Sequence, residues 1–445
     1  MTKWRRFLAL AGVDRAVGWS AAPRIWSVLF GPITVAVIAT RLTPEEQGYY
    51  FTFTSILAVQ VLFELGFTPV IQQFASHERA FLEWQPDGTI AGNGVEKARL
   101  AALVQTAFRW YAFASIIFSI VLLTAGTLFF SMSAGGVARW QGPWIAIAVA
   151  AGVTLLLSPV MATLEGCGAV AEVARMRTEQ VVAGNVIACV LLLAGAKLWA
   201  PAAAAIGSFL FVAVHLVRRW HSFFDDLLRT ERGSISWREE VWPFQWRTAL
   251  SWASGYLMFQ SFTPLLFLFD GPAAAGRMGM TLTIVNLLLS ISMAWLATKR
   301  PMMGMRVARR QYAELDALFF PAMARAAAVM MAGSVAFIGA AALLQFLRHP
   351  WRDRLLEPAP LLLLTGALVA TQLFWSLSAY MRAHKQEAFL GVRLTSAVLV
   401  LASAWFLGRS WGATGMMAGF FAVTLVVSLG GGTAIFLRKR AEWHA

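Results

Sequence analysis

Residues 44–73 read PEEQGYYFTFTSILAVQVLFELGFTPVIQQ. Beyond Glu45 and Glu46 the run carries a single charge, Glu64, among apolar, aromatic and small polar residues. A helix needs about twenty apolar residues to cross the hydrocarbon core of a bilayer. The stretch therefore predicts a membrane helix over 48–73, with a lone carboxylate near the midplane. A charge at that depth costs roughly 2.5–3.5 kcal/mol even on the lenient insertion scale, so Glu64 must face a partner, water or a proton. That makes it the candidate ion-coupling residue.

Working outward with the same ruler, spans fall near 21–40, 48–73, 109–131, 143–163, 179–199 and 201–217. A second set falls near 248–269, 277–298, 321–347, 359–381, 388–408 and 413–437. Composition agrees. Charged residues make up 13% of the 445 and AVILMFWYC residues 58%, against roughly 25% charged in a soluble protein. So few charges cannot solvate two or three soluble domains. Since open strand edges do not stand in lipid, the expectation is an all-α integral membrane protein of about twelve transmembrane helices.

The net charge of +14 is scattered in short groups between apolar runs. A nucleic-acid binder clusters such charge on one soluble face, so no nucleic-acid partner is expected. With both termini cytoplasmic, 29 of the 37 Lys and Arg fall on the inner side, as the positive-inside rule requires. The awkward loop is 348–358, which puts Arg348, Arg352 and Arg354 outside. Cys167, in a predicted inner turn, and Cys189, within an apolar helix, argue against a disulfide, and their spacing suits no metal.

Six spans precede and six follow a charged segment. This gives an N-terminal six-helix bundle over 1–217, a cytoplasmic interfacial linker over 218–247 and a C-terminal six-helix bundle over 248–445. Pro44-Glu-Glu-Gln-Gly48, between the first two spans, has a counterpart in Pro272-Ala-Ala-Ala-Gly276, between the seventh and eighth. Two such halves in the same orientation form a transporter architecture, with the substrate route between them.

Arg41-Leu-Thr-Pro-Glu-Glu-Gln-Gly48-Tyr-Tyr, Phe63-Glu64-Leu65-Gly66-Phe67 and Leu164-Glu165-Gly166-Cys167-Gly168 together carry a likeness. They resemble the polysaccharide-transporter, O-antigen flippase-like branch of the multidrug/oligosaccharidyl-lipid/polysaccharide exporter superfamily. The likeness is best over roughly 20–220. It implies a bacterial inner-membrane flippase in lipopolysaccharide biosynthesis, needing no cofactor. Such a protein moves a polyprenyl-pyrophosphate-linked oligosaccharide from the inner to the outer leaflet by alternating access. Segment 77–108, with its Asp87-Gly88 and Asn93-Gly94 turns, departs from the family pattern, and no cationic cavity can be mapped residue by residue.

Candidate substrate residues follow. Arg24, Arg247, Arg325 and Arg393 lie near the inner ends of the first, seventh, ninth and eleventh spans. Their planar guanidinium forks suit phosphate oxygens, although snorkelling to lipid headgroups explains the same placement. Asn185, Gln260 and Asn286 are uncharged polar residues inside apolar runs, able to bond sugar hydroxyls or one another's helices. Pro69, Pro159 and Pro264 mark sites where helices bend. Phe81, Leu82, Trp84, Trp220, Phe223, Phe224 and Trp237, interspersed with charges, read as interfacial amphipathic helices contacting membrane lipid. They also offer a docking surface for glycan-assembly proteins.

Two alternatives stand beside this reading. A cation-coupled drug or metabolite antiporter of the same superfamily would be expected to carry a buried acid in its first or seventh span. Here the first has none, and Asp270 sits at the outer end of the seventh. A membrane glycosyltransferase or polymerase would need a sizeable outer loop with paired carboxylates. The sequence supplies neither, nor a phosphate loop or metal cluster, so the chain is read as a non-enzyme.

Overall fold

A computed structural model describes residues 15–132, 139–234, 236–384, 386 and 388–444. Lys3, Arg5, Arg6 and Lys385 of the charge pattern lie outside them. The chain forms two compact units, one holding residues up to Val37 together with Leu57–Trp252, the other Ile38–Ile56 with Ala253–Ala445.

The first unit contains α1 (Arg15–Arg41, whose last turn is counted with the second unit), α3 (Gln60–Glu64) and α4 (Phe67–Arg79). A hairpin, β1 (Leu82–Trp84) and β2 (Ile90–Gly92), comes next. After it come α5 (Gly94–Val121), α6 (Thr127–Ser131), α7 (Gln141–Leu155), α8 (Leu157–Gly166), α9 (Val170–Leu193) and α10 (Trp199–Arg229). The helix α11 (Trp242–Phe259) straddles the unit boundary. The second unit contains α2 (Pro44–Leu57), α12 (Phe262–Ala308), α13 (Tyr312–Phe346), α14 (Pro358–Ala383), α15 (Leu390–Val423) and α16 (Gly432–His444).

Among the described residues, nine helical stretches are long and apolar enough to cross a membrane, or ten with a bent pair taken as one span. The two longest are long enough for two crossings each: 61 residues over Thr248–Ala308 and 54 over Leu390–Trp443. Each contains a backbone break, at Gly271 (φ 84°) and at Trp411-Gly412 (φ −130° and 56°).

Three further breaks have one cause. Proline lacks an N–H and its ring collides with the carbonyl four residues back. For Pro69 that residue is Leu65, where α3 has just ended; for Pro159 it is Leu155, the last of α7; for Pro264 it is Gln260, in the turn before α12. The second span is consequently not the continuous helix expected over 48–73. It runs as α2, α3 and α4, with Leu65 (φ 46°) and Gly66 (φ 65°) left-handed and a 45° bend. Gly66 is required there, since a Cβ would lie 2.7 Å from the Ala249 nitrogen.

Two other expectations change. Residues 82–92 form a β-hairpin and not an amphipathic helix. Leu82 and Ile90 are buried, and the Trp84 ring packs 5.4 Å from Trp220 and 5.0 Å from Phe223 while its indole N–H donates to the Cys167 carbonyl at 3.3 Å. The Asp87-Gly88 turn sets the register: Asp87 accepts from the Thr89 amide and hydroxyl at 2.9 and 2.7 Å, which hold its carboxyl below the usual range. Nor is 218–247 a separate linker from its start, because α10 continues unbroken to Arg229. Lys97 there meets Asp226 at 2.9 Å, and Gln105 donates to the Leu227 carbonyl at 3.1 Å. The two cysteines are free and buried, and burial pushes the Cys167 thiol up to about 12.

Candidate functional site

Glu64 is the last residue of α3, at the break. Its carboxylate accepts from Gln60 Nε2 at 2.8 Å, Thr68 Oγ1 at 3.0 Å and, weakly, Ser158 Oγ at 3.5 Å. Gln60 and Thr68 sit one turn before and after it, and the bend brings both to the same carboxylate. Ser158 is the second residue of α8, beside the break that Pro159 causes, so two interrupted helices meet at this level. Behind Thr68 stands Tyr111 of α5, fully buried, its hydroxyl 2.8 Å from Thr68 Oγ1. No Lys or Arg pairs with Glu64 among the described residues. All its partners are neutral, and all but Gln60 are hydroxyls, which can donate or accept. When Glu64 is ionised the relay runs Tyr111 to Thr68 to carboxylate. The Thr68 and Ser158 hydroxyls can also accept from a protonated carboxyl, so the same side chains can meet Glu64 as donors or as acceptors.

In the second unit a different arrangement involves the repeated motifs. Thr43 and Glu46 form a reciprocal cap: the Thr43 amide donates to Glu46 Oε2 at 3.0 Å and the Glu46 amide to Thr43 Oγ1 at 3.2 Å. With Pro44 at the first helical position, this is a strong helix start and explains the Thr-Pro-Glu-Glu sequence. Pro272, following the left-handed Gly271, starts a helix in the same way. The two starts cross at their glycines. A Cβ on Gly48 would lie 1.8 Å from the Pro272 carbonyl oxygen, and one on Gly276 would lie 2.9 Å from both the Gly48 nitrogen and the Pro44 oxygen. Gln47, 1% exposed, donates to the carbonyls of Gly276 at 2.8 Å and Arg354 at 3.2 Å, while Arg354 Nη1 donates back to Gln47 Oε1 at 3.3 Å. The Arg that strained the charge rule is thus a structural partner of the repeat motif.

The other predicted residues are placed separately. Arg24 is exposed on α1, the Arg247 side chain lies outside the described residues, Arg325 is exposed on α13, and Arg393 donates to Ser378 Oγ at 2.5 Å. Asn185 is half-buried on α9, Gln260 half-buried in the turn before α12, and Asn286 exposed on α12.

Sequence reasoning missed Thr68, Tyr111, Ser158, Gln47 and Arg354. Thr68 had a signal, four residues from Glu64, and Arg354 had one in the charge tally. Tyr111 and Ser158 had none.

No family profile and no curated protein matches the sequence. Solved structures do. An inward-facing multidrug resistance MATE family transporter of the MOP superfamily aligns with a TM-score of 0.60 at 15% identity, covering 93% of this chain and 98% of that one. The outward-facing conformation of such a transporter gives 0.60 at 15%, covering 97% and 96%. A MOP superfamily transporter from Pyrococcus furiosus, described as having a binding pocket of reversed polarity, gives 0.57 at 15%, covering 97% and 96%. The likeness extends over nearly the whole chain and does not single out the polysaccharide branch that the sequence motifs suggested. The chain has the fold of MATE transporters of the MOP superfamily.

Proposed function

We propose that the protein is a cation-coupled exporter of an organic metabolite or drug, working by alternating access, with Glu64 as the group that takes up and releases a proton. The observation that carries this reading is the environment of Glu64: a carboxylate at a helix break, held by neutral donors, two of them hydroxyls that can also accept. Transport proteins place ion sites at such interruptions, where irregular backbone is tolerated because it is buried or lines a water-filled route. Exchange of that proton with one side of the membrane at a time, as the site opens to it, ties proton transfer to conformation. The acid expected in the first or seventh span of an antiporter is here supplied by the second.

The MATE fold supports this reading over lipid-linked oligosaccharide flipping. The second reading retains one observation in its favour, the motif likeness of Arg41–Tyr50 and Phe63–Phe67. Under it, Arg24, Arg247, Arg325 and Arg393 would meet the pyrophosphate, and Asn185, Gln260 and Asn286 the sugar hydroxyls. Under either, counting the bent pair as one crossing and dividing the two longest stretches at Gly271 and Gly412 gives twelve crossings. The charge asymmetry then favours cytoplasmic termini, and a bacterial inner membrane is the site of action.

Proteoliposomes test the choice. With a proton gradient imposed, the first reading expects uptake of a fluorescent organic cation coupled to proton counterflow. Movement of a fluorescent lipid-linked oligosaccharide with no dye counterflow establishes the second, and movement of neither overturns both.

A further inference from the structure

The end of α10 carries a feature that the transport reading does not use. A groove of about 900 Å³ lies between α9 and α10. Its deeper wall is apolar, with Leu210, Phe211 and Val214 each 46–53% exposed. Its mouth carries three arginines, Arg175 from α9 and Arg218 and Arg219 from α10, beside His215 and against one lining carboxylate, Glu172. The Glu172–Arg219 contact is long, 3.9 Å, while Arg175 pairs with Glu179 at 2.7 Å and lies over the Trp19 ring at 5.8 Å. Among the described residues Arg218 has no carboxylate partner.

Depth fixes what this arrangement meets. Trp199 opens α10, and Trp favours the membrane–water interface. From Trp199 to Arg218 the helix rises about 28 Å at 1.5 Å per residue, close to the roughly 30 Å of hydrocarbon. The guanidinium groups therefore stand at the level of lipid phosphates, and Leu210, Phe211 and Val214 stand about 6–12 Å deeper, among acyl chains. Basic pockets between membrane helices at headgroup depth bind anionic lipids, and arginine forks match phosphate oxygens.

We infer that this groove is a binding site for an anionic glycerophospholipid, its phosphate bridged between Arg175 of α9 and Arg218 and Arg219 of α10, with one acyl chain lying over Phe211 and Val214. The bound lipid ties the ends of two helices of the first unit together, whatever cargo the protein carries.

The test is lipid binding to the intact, delipidated protein, read by native mass spectrometry and by thermal unfolding in detergent. Phosphatidylglycerol is expected to bind and raise the unfolding temperature, and phosphatidylcholine and inorganic phosphate are not. Neutralising two of the three mouth arginines, Arg218→Gln with Arg219→Gln, weakens phosphatidylglycerol binding by about ten- to thirtyfold. Val214→Trp, which fills the apolar wall and keeps every charge, abolishes the thermal protection. Arg229→Gln, on the same helix but paired with Asp225 at 3.0 Å and outside the groove, leaves binding unchanged. Equal protection by phosphatidylcholine or inorganic phosphate overturns the site. So does an Arg229→Gln loss as large as that of the double variant, because the charge would then be acting non-specifically.

Discussion

The second span contains two glycine-bearing irregularities that differ in kind. At Gly48 two helix starts touch backbone to backbone, buried, capped at Thr43 and Glu46, with no room for a methyl group. At Gly66 the helix is broken by the proline that follows, and the space is filled by half-buried polar side chains around Glu64. The first site is rigid and specified by shape. The second is adaptable and specified by chemistry. Residues that carry the family likeness occur at both, so those motifs describe mechanics more than cargo.

Substitutions should separate the two sites by the size and type of their effect. Gly48→Ala must displace the Pro272 carbonyl, and thermal unfolding in detergent should show a loss of about 3 kcal/mol or more. If Gly48→Ala folds with wild-type stability, the crossing is not as tight as described. Gln47→Ala leaves the Gly276 and Arg354 carbonyls without their donor and should cost about 1–3 kcal/mol by the same measurement. Thr68→Val, at the other site, loses two hydrogen bonds, to Glu64 and to the buried Tyr111 hydroxyl, and should cost about 1–2 kcal/mol. Its transport rate should also fall and its pH dependence shift. That stability loss with no shift in pH profile would make the Glu64 site merely structural. The smallest effect is expected at Glu240, whose carboxyl is held below its usual range by the Ser236 amide and, next, by Arg99 at 2.7 Å. A lowered folded pKa adds stability that is present above the unfolded value and lost as pH falls through the folded one. Glu240→Gln should remove that acid-side dependence and less than about 1 kcal/mol at neutral pH.

Membrane character, helical class and the position of most spans were legible in the sequence, because apolar length and charge asymmetry act locally. The prolines at 69, 159 and 264 were also legible as bends. What was not legible was how the backbone resolves each one. Whether Pro69 kinks a helix or ends it depends on Gly66 finding room beside Ala249 and Thr248, a contact far away in sequence. The hairpin at 82–92 was hidden for a similar reason. Its alternation is too short to outweigh the interspersed charges, and its stability comes from Trp220 and Phe223 on α10. The candidate site divided likewise. Glu64 stood out as a lone charge, whereas Tyr111 and Ser158 are ordinary residues until folding brings them to it.

The central claim is that Glu64 exchanges a proton during transport. The most direct measurement is cargo flux in proteoliposomes with and without an imposed pH gradient, comparing wild type, Glu64→Gln and Glu64→Asp at matched insertion. Glu64→Gln keeps the hydrogen-bond capacity and cannot ionise, so it should fold, insert and lose gradient-driven flux, while Glu64→Asp retains part of it. Gradient-driven flux through Glu64→Gln at the wild-type rate would contradict the account and place the coupling residue elsewhere.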